Sequence, residues 1–299
     1  MELSTQKDLQ PPIMPAEEKA VSPWVEAWRS FRKNKLALIG TIIVLFFIIL
    51  AVFAPLIAPQ GINEQMLSKR LQAPSSQHWF GTDDFGRDIF SRVVYGARIS
   101  LWVGFLAVIG SIVVGCLLGV VAGYYGKWVD TIISRVFDIM LAFPSILLAI
   151  AIVAVLGPSL RNALIAIAVI NIPNFGRLIR SRVLSVKQEE YIMAAKAIGM
   201  SNSRILFRHV LPNSMAPIIV QGTLAIATAI IECAALGFLG LGAEAPNPEW
   251  GKMLSDAKAY LIQAPWTMIF PGLAIMLTVL GFNLMGDGLR DALDPRMKN

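Results

Sequence analysis

Charge is scarce in this sequence. Only 15% of its 299 residues are Asp, Glu, Lys or Arg, while 56% are hydrophobic. A soluble domain carries roughly 25% charged residues, so the shortage excludes an ordinary water-soluble globule and points to a membrane protein. A net charge of +6 would suit nucleic acid. The basic residues, however, are scattered between apolar runs, where membrane topology puts them, and no nucleic-acid partner is expected. Cysteine is rarer still. Cys116 and Cys233 are the two, both inside apolar runs, and are expected to be buried, inert thiols rather than a disulfide or a metal site. His78 and His209 are the two histidines. They fall on opposite sides of the membrane in the topology below, which excludes a histidine proton relay or haem ligation. There is no GxxxxGKS or GxxxxGKT phosphate loop, no HExxH, no EF-hand loop and no CxxC. Metal binding, ATP binding by a P-loop and an active site of the chain's own are therefore not expected. A cleavable signal peptide is not expected either, since the first 20 residues are polar and the first apolar run is too long.

What is present is a series of long apolar runs. A bilayer core needs about 20 apolar residues as helix. Uncharged runs of that order are Leu36–Ile57, Ile99–Gly126, Ile139–Leu160, Val210–Ile231 and Ala259–Gly286. A shorter run, Asn162–Gly176, contains Asn171, Pro173 and Asn174 and is taken as the fourth of six spans. With both termini inside (N-in/C-in), 18 of the 26 Lys and Arg lie on the inner side and 8 on the outer, as the positive-inside rule requires. The fold class is then an all-α membrane protein with six transmembrane helices. Residues 1–35 are a cytoplasmic tail and an amphipathic interfacial helix, 36–57 the first span and 58–98 an extracytoplasmic loop. Residues 99–299 form the core, with a cytoplasmic loop at 186–215. In the tail, Ser22 can cap a helix with Pro23 at its first position. Trp24, Trp28 and Phe31 share one face of that helix, which is either an inner-leaflet helix or a plain juxtamembrane anchor.

Charge inside the spans is sparse enough to follow residue by residue. Arg135 and Asp138 stand three apart and are expected to pair on the third helix. Glu232 lies in the fifth span among small residues. A mid-span acid costs on the order of 2.5–3.5 kcal/mol on insertion scales, so it lines a water-filled translocation path, accepts an interhelical hydrogen bond, or does both. One such acid, with no internal repeat, argues against a secondary transporter. Gly115, Gly119 and Gly123 leave one face of the second span bare for another helix. Pro144 is expected to bend the third span.

The polar tract "EEYIMAAKAIGMSNSRILFRHVLPN" (residues 189–213) interrupts this pattern. Glu189–Ile198 favours helix, and Gly199 stands where a helix ends. Ser201 or Ser203 can cap a second short helix, which Pro212 is expected to stop. Two linked short helices, tethered at both ends to spans, make a compact knob. It suits either docking to a soluble partner or lying on the inner leaflet.

The tract resembles the "EAA" loop of ABC importer permeases: Glu-Ala-Ala, three residues, Gly, nine residues, Ile-x-Leu-Pro. Ala194, Ala195, Gly199, Leu211 and Pro212 fall in register, while Met193 replaces the Glu and His209 the Ile. Residues 80–101, 234–254 and 282–296 are similar to signatures of the peptide/nickel subfamily, in particular its second, dipeptide-type permease subunit. The resemblance runs from about residue 25 to the C-terminus. It implies a type I ABC importer permease in the bacterial inner membrane. Such a subunit forms one path with a homologous permease, is driven by two cytoplasmic ATPase subunits and is fed di- or oligopeptides by an external binding protein. ATP and Mg would be held by the ATPases, with no cofactor in this chain. It also implies that Ala194, Ala195 and Gly199, with Leu211 and Pro212 in the same frame, serve the coupling loop. Nickel, glutathione or another peptide-like solute is the alternative cargo. An ATPase-independent channel or secondary transporter is the alternative of another class. Asp83, Asp84, Arg87 and Asp88 in the outer loop form either a salt-bridged, self-capped turn or a contact with the binding protein.

Overall fold

The computed structural model describes residues 23–293. The expected tail, its cap Ser22, the side chains of Trp24 and Ser203, and the last six residues lie outside the described part. Among the described residues the regular structure is helical, apart from one isolated bridge between Thr82 and Asp88, and 58–88 and 239–249 are mostly irregular.

The short helix α1 (Pro23–Lys33) leads into α2 (Lys35–Val52) and the single turn α3 (Ala54–Ile57). Asn34 separates the first two and caps α2, its Oδ1 accepting from the Ala37 amide at 3.2 Å. Phe31 is buried while Trp28 is exposed, so one aromatic of α1 packs inward and the other faces out. α2 lies against α13 (Trp266–Leu293) at glycine contacts: a Cβ on Gly40 would meet the Gly281 carbonyl, and one on Gly288 would meet Ala37.

α4 (Ile89–Tyr125) is 37 residues long. At 1.5 Å per residue that is about 55 Å, well beyond a bilayer core of about 30 Å. It begins ten residues ahead of the uncharged run, because Asp88 caps it and Arg92 and Arg98 ride on its outer turns. Its bare face packs on α7 (Leu160–Val186). Cβ atoms on Gly115, Gly119 and Gly123 would collide with the Ile172, Gly176 and Arg180 carbonyls. The glycine spacing thus does what the sequence suggests, and α7 is the helix that approaches. α7 itself runs past both ends of the short apolar run and carries Pro173 inside.

The third span differs from expectation. It is two helices, α5 (Lys127–Leu141) and α6 (Ser145–Leu156), set at 95° across Ala142–Pro144. Proline removes one backbone bond, which alone gives a gentle bend. The sharp break comes from what holds each limb. Phe137 of α5 sits over Gly176 of α7, where any side chain would collide with its ring. The Arg135–Asp138 pair is also not what forms. Asp138 meets Arg177 of α7 at 2.5 Å, because the α5–α7 contact offers a guanidinium across the interface.

The polar tract follows as α8 (Glu190–Ala197), α9 (Asn202–Ile205), a π-helical turn over Leu206–Val210 and α10 (Leu211–Asn213). Then come α11 (Met215–Phe238), the short α12 (Trp250–Ala257) and α13. Among the described residues five helices, α2, α4, α7, α11 and α13, are each long and apolar enough to span a bilayer, and the broken pair makes a sixth crossing if counted as one. The polar tract lies at the α4 C-terminal end of the bundle, since Lys187 Nζ donates to the Tyr124 carbonyl at 2.8 Å.

Candidate functional site

The tract at 187–213 has two faces. Ile192, Ala195, Ile205 and Val210 are buried together with Ile179 and Val183 of α7 and Ile218 of α11. These contacts fix the tract to both stems. The turn between its helices is a Schellman motif. Gly199 N donates to the Lys196 carbonyl and Met200 N to that of Ala195, both at 3.0 Å. Gly199 has φ +80°, and nothing lies within 4 Å of where its Cβ would be. Its requirement is therefore backbone conformation, not space. Ser201 starts the second segment by accepting from the Ile205 amide through its carbonyl.

Pro212 does not stop that segment. The Leu211 amide reaches back five residues to the Leu206 carbonyl. This wide turn accommodates a ring that would clash in a regular helix, and the chain stays helical to Asn213. Asn213 Nδ2 donates to the His209 carbonyl and to Tyr191 Oη, which ties α10 to the start of α8.

The other face is open. Met193, Ile198 and Phe207 are exposed, Ile198 at 80% and Phe207 at 67%. Ala194, Glu189, Glu190, Arg204 and Arg208 of the same tract are exposed as well. Of the five residues in register, Ala194, Gly199 and Pro212 are exposed, Leu211 is half-buried and Ala195 is buried. The paired alanines thus split between the two faces.

The opposite end of the bundle is closed on itself. Asp88 caps α4, its Oδ2 accepting from the Ser91 amide and hydroxyl at 2.8 Å while Oδ1 lies 3.1 Å from His78 Nδ1. Arg87 binds Asp83 at 2.6 Å and approaches Asp84 at 3.9 Å, and Arg92 adds Asp83 at 3.6 Å. Arg87, Asp88, Arg92 and His78 are buried. Asp84 is the more open acid; burial, then the neighbouring Asp83 carboxylate, push its pKa up. Beside this turn α12 is pinned by Trp250, whose Nε1 donates to the Val93 carbonyl at 3.0 Å. Glu249 caps α12, accepting from the Gly251 and Lys252 amides at 2.8 Å. Burial raises the Glu249 pKa against those two bonds. Sequence reasoning did not single out Glu249; an acid directly ahead of a short amphipathic stretch is the cap signal that identifies it.

Inside the spans, Glu232 is buried and its Oε2 accepts from Asn171 Nδ2 at 3.1 Å. α6 packs nearby, its Ala149 and Val153 buried in one cluster with Ala229 and Cys233 of α11. Of the two readings of Glu232, the hydrogen bond between helices is the one formed within this chain. Among the described residues no group of three or more His, Cys, Asp or Glu is placed to hold a metal.

Residues 115–299 match the family described as the binding-protein-dependent transport system inner membrane component, and residues 22–74 match the N-terminal transmembrane domain of oligopeptide transport permease C. The chain belongs to this permease family. It is 65% identical to a dipeptide transport system permease protein of Alkalihalophilus pseudofirmus, over 97% of this chain and 96% of that protein. It is 51% identical to a glutathione transport system permease protein of Escherichia coli, over 93% and 92%. The methionine ABC transporter MetNI, solved in inward-facing conformations, shares the fold at TM-score 0.55 and 19% identity, covering 69% of this chain and 98% of that one. The protein is thus an ABC importer permease of the peptide/nickel kind, a multi-pass component of a binding-protein-dependent transport system of the bacterial inner membrane.

Proposed function

We propose that this permease carries di- or oligopeptides and forms the path together with one homologous permease. Two ATPase subunits drive the pair, one of them receiving the 186–215 loop of this chain in a cleft, and a binding protein delivers cargo from the other side. Both termini and the loop are cytoplasmic in this reading, consistent with the excess of Lys and Arg on that side. ATP and Mg belong to the ATPases, and this chain holds no cofactor and performs no chemistry.

The observation that carries the reading is the two-faced loop. Its inner face is locked to α7 and α11, and its outer face presents Met193, Ile198 and Phe207 on a fixed corner. An apolar anchor ringed by charge is what a helix seated in a soluble partner's groove requires. Ala194 and Gly199 lie on the presented surface, Ala195, Leu211 and Pro212 hold its shape, and Glu232 braces or lines the path. Asp83, Asp84, Arg87 and Asp88 serve the binding protein mainly as a rigid platform, Asp84 being the most available for contact. Swinging two conformations from 1:99 to 99:1 needs about 5.5 kcal/mol of differential binding, which the nucleotide cycle supplies through this loop.

Peptide cargo is supported by the 65% identity to a dipeptide permease, and a glutathione-type cargo by the 51% identity to its counterpart. Uptake of labelled dipeptide, glutathione and nickel should be compared in cells carrying or lacking this gene with its partner subunits. Dipeptide uptake that needs both this chain and a functional ATPase is expected. Uptake that persists with the ATPases removed would instead establish a channel or secondary transporter.

A further inference from the structure

Both stems of the loop are fastened to the broken pair α5–α6. On one side Arg180 of α7 grips Asp130 of α5 through both carboxylate oxygens, with Nη2 2.7 Å from Oδ2. Arg177 takes Asp138, two turns further along α5, and beside that pair Phe137 seats on Gly176. On the other side α6, just past the 95° break, buries Ala149 and Val153 in one cluster with Ala229 and Cys233 of α11, while Asn171 of α7 donates to Glu232 of α11. The remaining face of α5 is unattached within this chain: Trp128, Ile132, Val136 and Ile139 are exposed.

We infer that α5–α6 is a crossbar that converts relative movement of the two loop stems into opening at the break, with Asp130, Arg180 and Glu232 as its positioning residues. This rests on the reading that a partner ATPase moves the loop. A bidentate guanidinium–carboxylate pair fixes direction as well as distance, so α5 must follow α7. Glu232 ties the two stems together beside α6, since without it α7 would bury the Asn171 amide facing no partner on α11. The three residues Ala142–Pro144 form a short hinge of the kind that absorbs a backbone change between rigid limbs. Loop motion then changes the angle at the break instead of dissipating in a loose helix.

The test is the amount of cargo moved per ATP hydrolysed, measured on the assembled transporter in proteoliposomes. Asp130→Arg should lower that ratio about tenfold, a typical coupling free energy, while hydrolysis continues at its ordinary rate. Adding Arg180→Asp restores the pair with its charges reversed and should recover most of the ratio. Glu232→Gln, which keeps an acceptor for Asn171, should preserve the ratio, and Glu232→Ala should lose it. An unchanged ratio in Asp130→Arg overturns the crossbar. So does a loss of uptake and hydrolysis in step, which marks a scaffold role only. Gly199→Val, measured in parallel, separates the two ideas. If it lowers the ratio and Asp130→Arg does not, the loop reading stands and the crossbar falls. If Gly199→Val leaves both uptake and ATPase attachment intact, the loop reading falls and takes the crossbar with it.

Discussion

The two polar ends of the bundle are built from similar residues and put them to opposite use. At the outer turn, Asp83, Arg87 and Arg92 spend their charges on one another, Asp88 is tied to His78 and Ser91, and most are buried. At the 187–213 loop, Glu189, Glu190, Arg204 and Arg208 face outward around exposed Met193, Ile198 and Phe207. One end is a finished surface and the other lacks its complement. Charge content does not mark a docking site; charge that the chain leaves unspent beside exposed apolar area does.

The contrast breaks most sharply at Gly199. A β-branched residue at φ +80° costs about 1–2 kcal/mol of local strain and reshapes the one corner that sets the presented face. Gly199→Val should cut uptake tenfold or more while ATPase activity persists; Gly199→Asn, which tolerates the left-handed region, should cut it far less. Uptake by cells expressing each variant at matched membrane levels is the check. Phe207→Ala comes next. The ring is exposed, so stability of the chain should change by less than about 0.5 kcal/mol, while loss of an aromatic anchor should weaken ATPase attachment by about 1–2 kcal/mol, measured by co-purification or titration.

The outer turn should respond in the opposite sense. Asp88→Ala removes the α4 cap and strands buried His78. A lost cap costs about 1 kcal/mol and an orphaned buried partner about 1–3 kcal/mol more. Thermal unfolding in detergent should show that loss, with uptake per folded molecule little changed. If Asp88→Ala instead abolished uptake in a fully stable protein, the outer turn would not be the self-contained structure described.

How much of this the sequence discloses depends on whether the deciding interaction is local. The Gly115–Gly119–Gly123 face, the Gly199 corner and the long apolar helices follow from spacing alone, because helix period and φ > 0 are local properties. The α4 start at Ile89 was hidden because hydropathy sees only the uncharged stretch, though Asp88 and Ser91 form a readable cap. The 95° break was not legible from Pro144, because the Phe137–Gly176 seat and the packing of Ala149 and Val153 of α6 with α11 set it across more than thirty residues of chain. Asp138 fails for the same reason: the near neighbour Arg135 is what sequence offers, and Arg177 is what packing supplies.

The smallest effect sharpens the comparison where the outer turn is least complete. Asp84 is the acid there whose charge is poorly compensated, with Arg87 at 3.9 Å and Asp83 beside it. Its raised pKa means the folded chain holds that proton more tightly than the unfolded chain, whose carboxylate titrates near 3.9. Stability from this group is therefore greatest below that value and declines as pH rises toward the shifted one, staying at its lowest beyond it. Asp84→Asn removes the penalty and should raise the unfolding midpoint slightly at pH 7, with no gain at pH 3. A gain that persists at pH 3 would trace to packing rather than charge. A loss at pH 7 would mean that the Arg87 contact outweighs burial, which would place Asp84 inside the closed network with Asp83 and Asp88.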